Sequence, residues 1–166
     1  MATLLVALPG QFGLAHAGRA GTGKTKSKTS RASAVKASIR VYHASSARFS
    51  AKQLRINREG LVHVSTRASF SRQYGANLNA FKLRDKKLFR LETHEKLLRR
   101  ELGQHRLSTA EGSLAINVHR DAKLHSVLKK LGFRGYQYKQ WDSRRDRYIE
   151  NYALFDTKLL KPEPLE

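Results

Sequence analysis

The chain has 166 residues, with 33 Lys or Arg against 13 Asp or Glu and a net charge of +20. A compact state gains nothing from such an imbalance, which becomes affinity only where it displaces the counterions of a polyanion, so nucleic acid or an anionic membrane surface is the expected partner. The absence of cysteine excludes disulfides and thiolate metal sites, and no apolar run reaches the roughly 20 residues of a transmembrane helix.

The charge falls along the chain. Residues 1 to 58 hold 11 Lys or Arg and no acid, residues 59 to 133 hold 15 and 7, and residues 134 to 166 hold 7 and 6. The stretch from 1 to about 50 is rich in Ala, Ser, Thr, Gly, Lys and Arg, as organellar transit peptides are. The alternative reading is a disordered basic arm that binds RNA and stays on the chain. Within this stretch, Gly18-Arg19-Ala20-Gly21-Thr22-Gly23-Lys24-Thr25 fits the phosphate-loop pattern G-x-x-x-x-G-K-[ST]. That pattern works only between a strand and a helix, with a carboxylate elsewhere to hold magnesium. Here Lys26-Ser27-Lys28-Thr29 follows and the first acid is Glu59, so the match reads as accidental.

Periodic structure begins at Gly60. Leu61-Val62-His63-Val64-Ser65-Thr66 alternates and predicts a strand, followed by a loop over 67–79. Residues 80–83 and 88–91 predict a hairpin about Arg84-Asp85-Lys86-Lys87. Thr93 is placed to cap a helix over 94–103, with Leu98 and Leu102 on one side and Lys96, Arg99 and Arg100 striped on the other. Like charges at that spacing repel by a few tenths of a kcal/mol unless an anion lies against them.

Residues 113–118 alternate again, with Leu114, Ile116 and Val118 on one face. Asp121 then caps a helix whose Leu124, Val127, Leu128 and Leu131 fall at i, i+3, i+4 and i+7, closing at Gly132 with Phe133 folded back. The region 60–133 thus predicts an α/β fold, a small two-layer sandwich with a mixed sheet and two helices. About 75 residues bury only about 60% of their unfolded surface, so such a core leans on a partner.

Residues 134–166 form a C-terminal extension, expected as a short strand, a helix over 142–154 and an extended tail. Tyr136, Tyr138 and Trp141 interleave with Arg144, Arg145 and Arg147, which suits RNA stacking and phosphate pairing; Tyr148, Tyr152 and Phe155 equally suit an apolar helix face against protein.

No catalytic constellation stands out. The seven histidines show no i, i+4 pair with a nearby carboxylate, and there is no nucleophile elbow or dinucleotide turn. The histidines read as structural or RNA-facing, and neither an enzyme nor a cofactor is expected. The cations expected to meet RNA are Arg67, Arg72, Lys86, Lys87, Lys96, Arg99, Arg100, Lys123, Lys130, Arg144 and Arg145.

Gly112-Ser113-Leu114-Ala115-Ile116-Asn117-Val118, then a helix closing in Leu128-Lys129-Lys130-Leu131-Gly132-Phe133, resembles the end of the mitochondrial large-subunit ribosomal protein 49 family (the Img family). Val62-His63-Val64-Ser65-Thr66-Arg67 resembles its opening strand. Lys87-Leu88-Phe89-Arg90-Leu91 and the helix Glu95-Lys96-Leu97-Leu98-Arg99-Arg100-Glu101-Leu102 are similar to its second strand block and first helix. The resemblance spans 61–133. It implies the small α/β fold shared with SUI-type initiation factors and a non-catalytic place in the large subunit of the mitochondrial ribosome, in the matrix and not a plastid. The implied contacts are ribosomal RNA and other large-subunit proteins, with no membrane and no small-molecule substrate. An organellar RNA-binding factor outside the ribosome, for processing or initiation, is the alternative.

Overall fold

The computed structural model describes residues 38–47, 53–84 and 87–165. The chain divides into two compact units, Met1–Ala34 and Val35–Glu166. The first lies outside the described residues, and so does the phosphate-loop match within it.

The second unit is α/β. Its elements are β1 (Ser38–Ser45), β2 (Val62–Ser65), the single-turn α1 (Ala68–Ser71), β3 (Asn77–Arg84), β4 (Leu88–Phe89), α2 (Leu91–Leu102), β5 (Thr109–Ala110), β6 (Ser113–Ala115), α3 (Ala122–Lys130), β7 (Gly135–Asp142), β8 (Arg147–Leu154) and β9 (Leu160–Glu163). The nine strands form one open mixed sheet in the order β5-β6-β7-β8-β2-β1-β3-β9, with β4 also paired to β7. The pairs β4–β7 and β6–β7 are parallel and the rest antiparallel.

Connectivity requires this sheet to curl. β8 pairs along the whole of β7, so β4 lies on the other edge, five strand spacings or about 24 Å from β3 in a flat sheet. Yet Arg84 ends β3 and Leu88 begins β4, and four residues reach at most about 15 Å. Curling closes the gap and creates an inner face. There Val41, Val62, Val64, Phe81, Leu83, Tyr152 and Leu154 pack together with Leu88 and Leu159.

The outer face carries the second core. Tyr136 and Tyr138 of β7 and Ala153 of β8 are covered by Leu98 and Leu102 of α2 and by Leu124 and Leu128 of α3. The ends of α3 follow its sequence signals. Asp121 Oδ1 accepts from the Leu124 N–H at 2.9 Å. Gly132 takes φ +82°, and the N–H groups of Gly132 and Phe133 donate to the carbonyls of Lys129 and Leu128 at 3.0 Å each. The Phe133 ring then meets Phe89 edge-on, 5.4 Å between centroids.

Several expectations need correction. Residues 38–45, read with the leader or arm, form β1, paired with β3 along all eight residues and lying inside the sheet. The lack of acids marked this stretch as leader, while its alternating Ile39, Val41 and aromatic Tyr42 make a strand. The expected loop over 67–79 contains α1, a 3-10 turn (Arg72–Tyr74) and the start of β3.

Residues 80–83 and 88–91 make no hairpin. β3 lies between β1 and β9, whereas β4 joins β7 because Leu88 and Phe89 are buried on opposite faces, one in each core. α2 begins at Leu91, so Thr93 lies within its first turn and is not its cap. The strand expected over 113–118 ends at Ala115 and continues as a 3-10 turn (Ile116–Arg120).

The largest correction concerns 134–166. The helix expected over 142–154 is absent among the described residues, and β7, β8 and β9 take its place. These strands supply Tyr136, Tyr138, Tyr152 and Leu154 to the cores. The segment is therefore an integral part of the fold rather than an extension of a core ending at Phe133.

Candidate nucleic-acid interface

Charge is not confined to the N-terminal stretch: the described residues hold 24 Lys or Arg and 11 Asp or Glu. Three arginines stand together at the β7–β8 turn. Asp142 pairs with Arg147 across the hairpin. Its buried carboxylate accepts from the Arg144 N–H at 3.2 Å, and its carbonyl from the Arg145 N–H at 3.1 Å. Asp146 supplies the left-handed residue, φ +52°, that returns the chain into β8. The turn thus holds Arg144 and Arg145 in solvent.

Arg67, just after β2, borders a shallow depression together with Arg147 and Tyr148. Trp141 and Tyr148, 46% and 37% exposed, face each other across the hairpin with ring centroids 5.0 Å apart. Arg145 donates to Ser69 Oγ, which ties the turn to α1. None of these four arginines forms an ion pair among the described residues. Unpaired guanidinium groups around exposed rings suit phosphate pairing and base stacking together.

The other expected cations are distributed differently. Arg72 is exposed in the 3-10 turn after α1. Lys96, Arg99 and Arg100 line the outside of α2, and Lys123 and Lys130 the outside of α3. Part of that layer is neutralised internally: Arg99 meets Glu95 at 2.8 Å, and Glu101 meets Lys130 at 3.1 Å and Arg100 at 3.8 Å. Exposed pairs of this kind contribute at most about 1 kcal/mol, so a phosphate can compete for the same cations. Lys87 is exposed beside β4, while Lys86 lies outside the described residues.

Beside the arginine turn, on the other side of α1, lies a cleft of about 300 Å³. It exists because β1 and β2 pair only at Tyr42 and Ser65. Beyond that point the strands part, and His43 bridges them by donating Nδ1–H to the His63 carbonyl at 2.8 Å. Ser71 Oγ donates to the Tyr42 carbonyl at 3.0 Å and holds α1 over the opening. Arg55 and the exposed Tyr74 and Ile116 border it; His63, His119, Tyr138 and Asn151 lie within its lining.

A chain of hydrogen bonds joins the rings of this lining. The Tyr136 hydroxyl lies 3.1 Å from His125 Nε2 and 2.9 Å from His119 Nδ1. Its single proton serves only one of the two, so at least one ring nitrogen donates to the oxygen. His119 Nε2 is buried and without a partner among the described residues. Burial, reinforced by His63 and His125, holds the His119 pKa down at about 3, and burial lowers His63 and His125 as well.

The Tyr136 and Tyr138 hydroxyls are pushed far up, mainly by burial, and stay protonated. A ring so reluctant to take a proton is a poor general base at neutral pH. Asn151, 1% exposed, lies in the same lining, and its Oδ1 also lacks a partner among the described residues. No group of three or more His, Cys, Asp or Glu among the described residues is arranged to hold a metal.

Of the expected residues, Arg67, Arg144 and Arg145 come together at one end, and Lys96, Arg99, Arg100, Lys123 and Lys130 form a separate helical layer. Arg147, read with Arg144 and Arg145 as suited to phosphate pairing, was not among the cations singled out, and the cleft was missed. The available signal was the alternation Tyr136, Tyr138, Gln140, which places all three side chains on one face of a strand. Comparisons of the chain with protein-family models, with curated proteins and with solved structures find no match, so function is argued from these residues and their placement.

Proposed function

We propose that this protein is a non-catalytic, RNA-contacting constituent of the large subunit of the mitochondrial ribosome, located in the matrix and packed among neighbouring ribosomal proteins. The observation that carries the RNA-binding part is the β7–β8 end, where Arg67, Arg144, Arg145 and Arg147 stand without ion pairs among the described residues around exposed Trp141 and Tyr148. Phosphate contact turns such charge into salt-dependent affinity, and the rings give bases a surface to stack on. The ribosomal part rests on the resemblance of 112–133 to the protein 49 family. Placement of α2 and α3 on one side of the sheet supports the finer likeness to SUI-type initiation factors.

Fractionation of mitochondrial lysates tests the proposal. The protein should co-sediment with large ribosomal subunits at constant stoichiometry after a high-salt wash. Recovery only in free fractions would sink it, while substoichiometric, salt-labile association would favour a processing or initiation factor outside the ribosome.

A further inference from the structure

We infer that the outer face of β3 and β9 is a second RNA contact surface, on which Lys82, Arg84 and Lys161 grip the phosphate backbone without reading bases. The inference rests on the RNA-binding reading and adds to it a surface separated from β8 and its arginine turn by β2 and β1 in the strand order.

Strand alternation places these cations. Phe81 and Leu83 of β3 belong to the inner core and Leu160 of β9 packs against it, so Lys82, Arg84 and Lys161 stand on the opposite face, where all three are exposed. Lys82 is directly opposite Arg40 of β1 on one side and Lys161 on the other, so three neighbouring strands present a cation in one row. With strands about 4.8 Å apart and alternate residues about 7 Å apart, the Cα atoms of Lys82, Arg84 and Lys161 lie within about 9 Å of one another. Like charges directly opposite in a sheet destabilise it.

The structure leaves that charge available. Glu163, on the same face, lies 3.9 Å from Arg40 Nε, and Arg40 also donates to the Pro164 carbonyl at 2.8 Å. Lys82, Arg84 and Lys161 form no ion pair among the described residues. Protection of the sheet edge accounts for Lys161, since charge on an edge strand discourages further pairing. It does not account for Lys82, which lies on β3 between β1 and β9. A phosphate accounts for both.

The ligand class follows from what flanks the cations. The outward residues of β3 and β9 are Leu78, Ala80, Lys82, Arg84, Lys161 and Glu163, none of them aromatic. Trp141 and Tyr148 at the arginine turn offer rings for bases; this face offers charge and no stacking surface. Contacts of that kind fix the position of a nucleic acid without carrying sequence information.

The test combines Lys82→Gln, Arg84→Gln and Lys161→Gln in the full chain. Binding of oligouridine and oligocytidine, each of twelve nucleotides, is followed by fluorescence anisotropy across a range of salt. The logarithmic salt dependence should fall by about 2 for both oligomers alike, at about 0.7 per phosphate contact. In the parent protein, either oligomer should protect Lys82 and Lys161 from acetylation, read by mass spectrometry.

An unchanged slope with both lysines unprotected, while replacing Arg144, Arg145 and Arg147 still lowers the slope, overturns this face and leaves the RNA-binding reading in place. A lower slope without protection reports lost net charge alone and overturns the face as well. A loss confined to one oligomer overturns contact through the backbone. If the triple variant loses binding to phosphatidylserine vesicles but binds RNA as before, the face belongs to a membrane and the inference fails. No binding of either oligomer by the parent protein overturns both readings.

Discussion

Acid should destabilise this protein well before its carboxylates titrate, and His119 should account for a defined share. Its pKa is held at about 3 in the folded state against an ordinary 6.5. Because the folded value is the lower one, the unfolded chain binds more protons below pH 6.5; stability is full above that pH and is lost as pH falls from there toward 3. At pH 5 the loss is governed by the unfolded value alone, since the folded ring is still neutral. One and a half pH units below 6.5, at about 1.4 kcal/mol per tenfold, gives about 2 kcal/mol, a large part of the 5–15 kcal/mol that usually holds a domain together.

Other groups separate cleanly from this effect. For Asp121, burial works against ionisation but the His105 and Leu124 bonds outweigh it; for Asp156, bonds from Lys158 and Arg134 do the same. Both carboxylates are held below their ordinary value, so their contribution is lost only at still lower pH. His63 and His125 act with the same sign as His119, and the whole protein should lose more than its share alone. Urea unfolding at pH 7 and pH 5, at fixed ionic strength, compares the protein with His119→Gln. The variant should lose about 2 kcal/mol less than the parent between the two pH values, whatever its absolute stability. Equal losses in both proteins would refute the buried, neutral ring.

Replacing Arg144, Arg145 and Arg147 together by Gln should flatten the logarithmic salt dependence of single-stranded RNA binding by about 2, at about 0.7 per phosphate contact; an unchanged slope would remove this turn from the interface. Gly75→Ala should lower stability by at least about 2 kcal/mol in chemical denaturation, because a Cβ there would stand 2.1 Å from the Ser45 carbonyl carbon and the end of β1 would have to move. Asp121→Ala removes both the cap of α3 and the 2.7 Å bond to His105, with an expected cost of about 1–2 kcal/mol and faster amide exchange at Leu124.

The second half of the core was legible because its signals were local. Asp121, the Leu124–Leu128 stripe and Gly132-Phe133 each act within one or two turns, so α3 and its closing bonds could be read directly. The C-terminal hairpin was not legible for a geometric reason. Tyr148 and Tyr152 are four apart, which places them on one face of a helix and equally on one face of a strand. Only the alternation Tyr136-Gln137-Tyr138 and the turn chemistry of Asp142 discriminate; the first lies outside the stretch read as a helix and the second is its first residue, which reads equally as a helix cap. β1 was obscured by averaging: a strand of eight residues carries little weight within 50 residues of leader-like composition. Arginine positions in the sequence were informative about charge but silent about grouping, since Arg67 meets Arg147 only after β2 and β8 pair in register.

The same topology explains why an open cleft and a stable sheet coexist. β1 keeps eight partners on β3 and β2 keeps four on β8, so the two strands can separate beyond Tyr42 and Ser65 without either losing its other neighbour. His43 repairs part of the opened ladder by reaching the His63 carbonyl. Asn151 and His119 are not repaired in that way, and leaving a buried polar atom unsatisfied costs about 1–3 kcal/mol each.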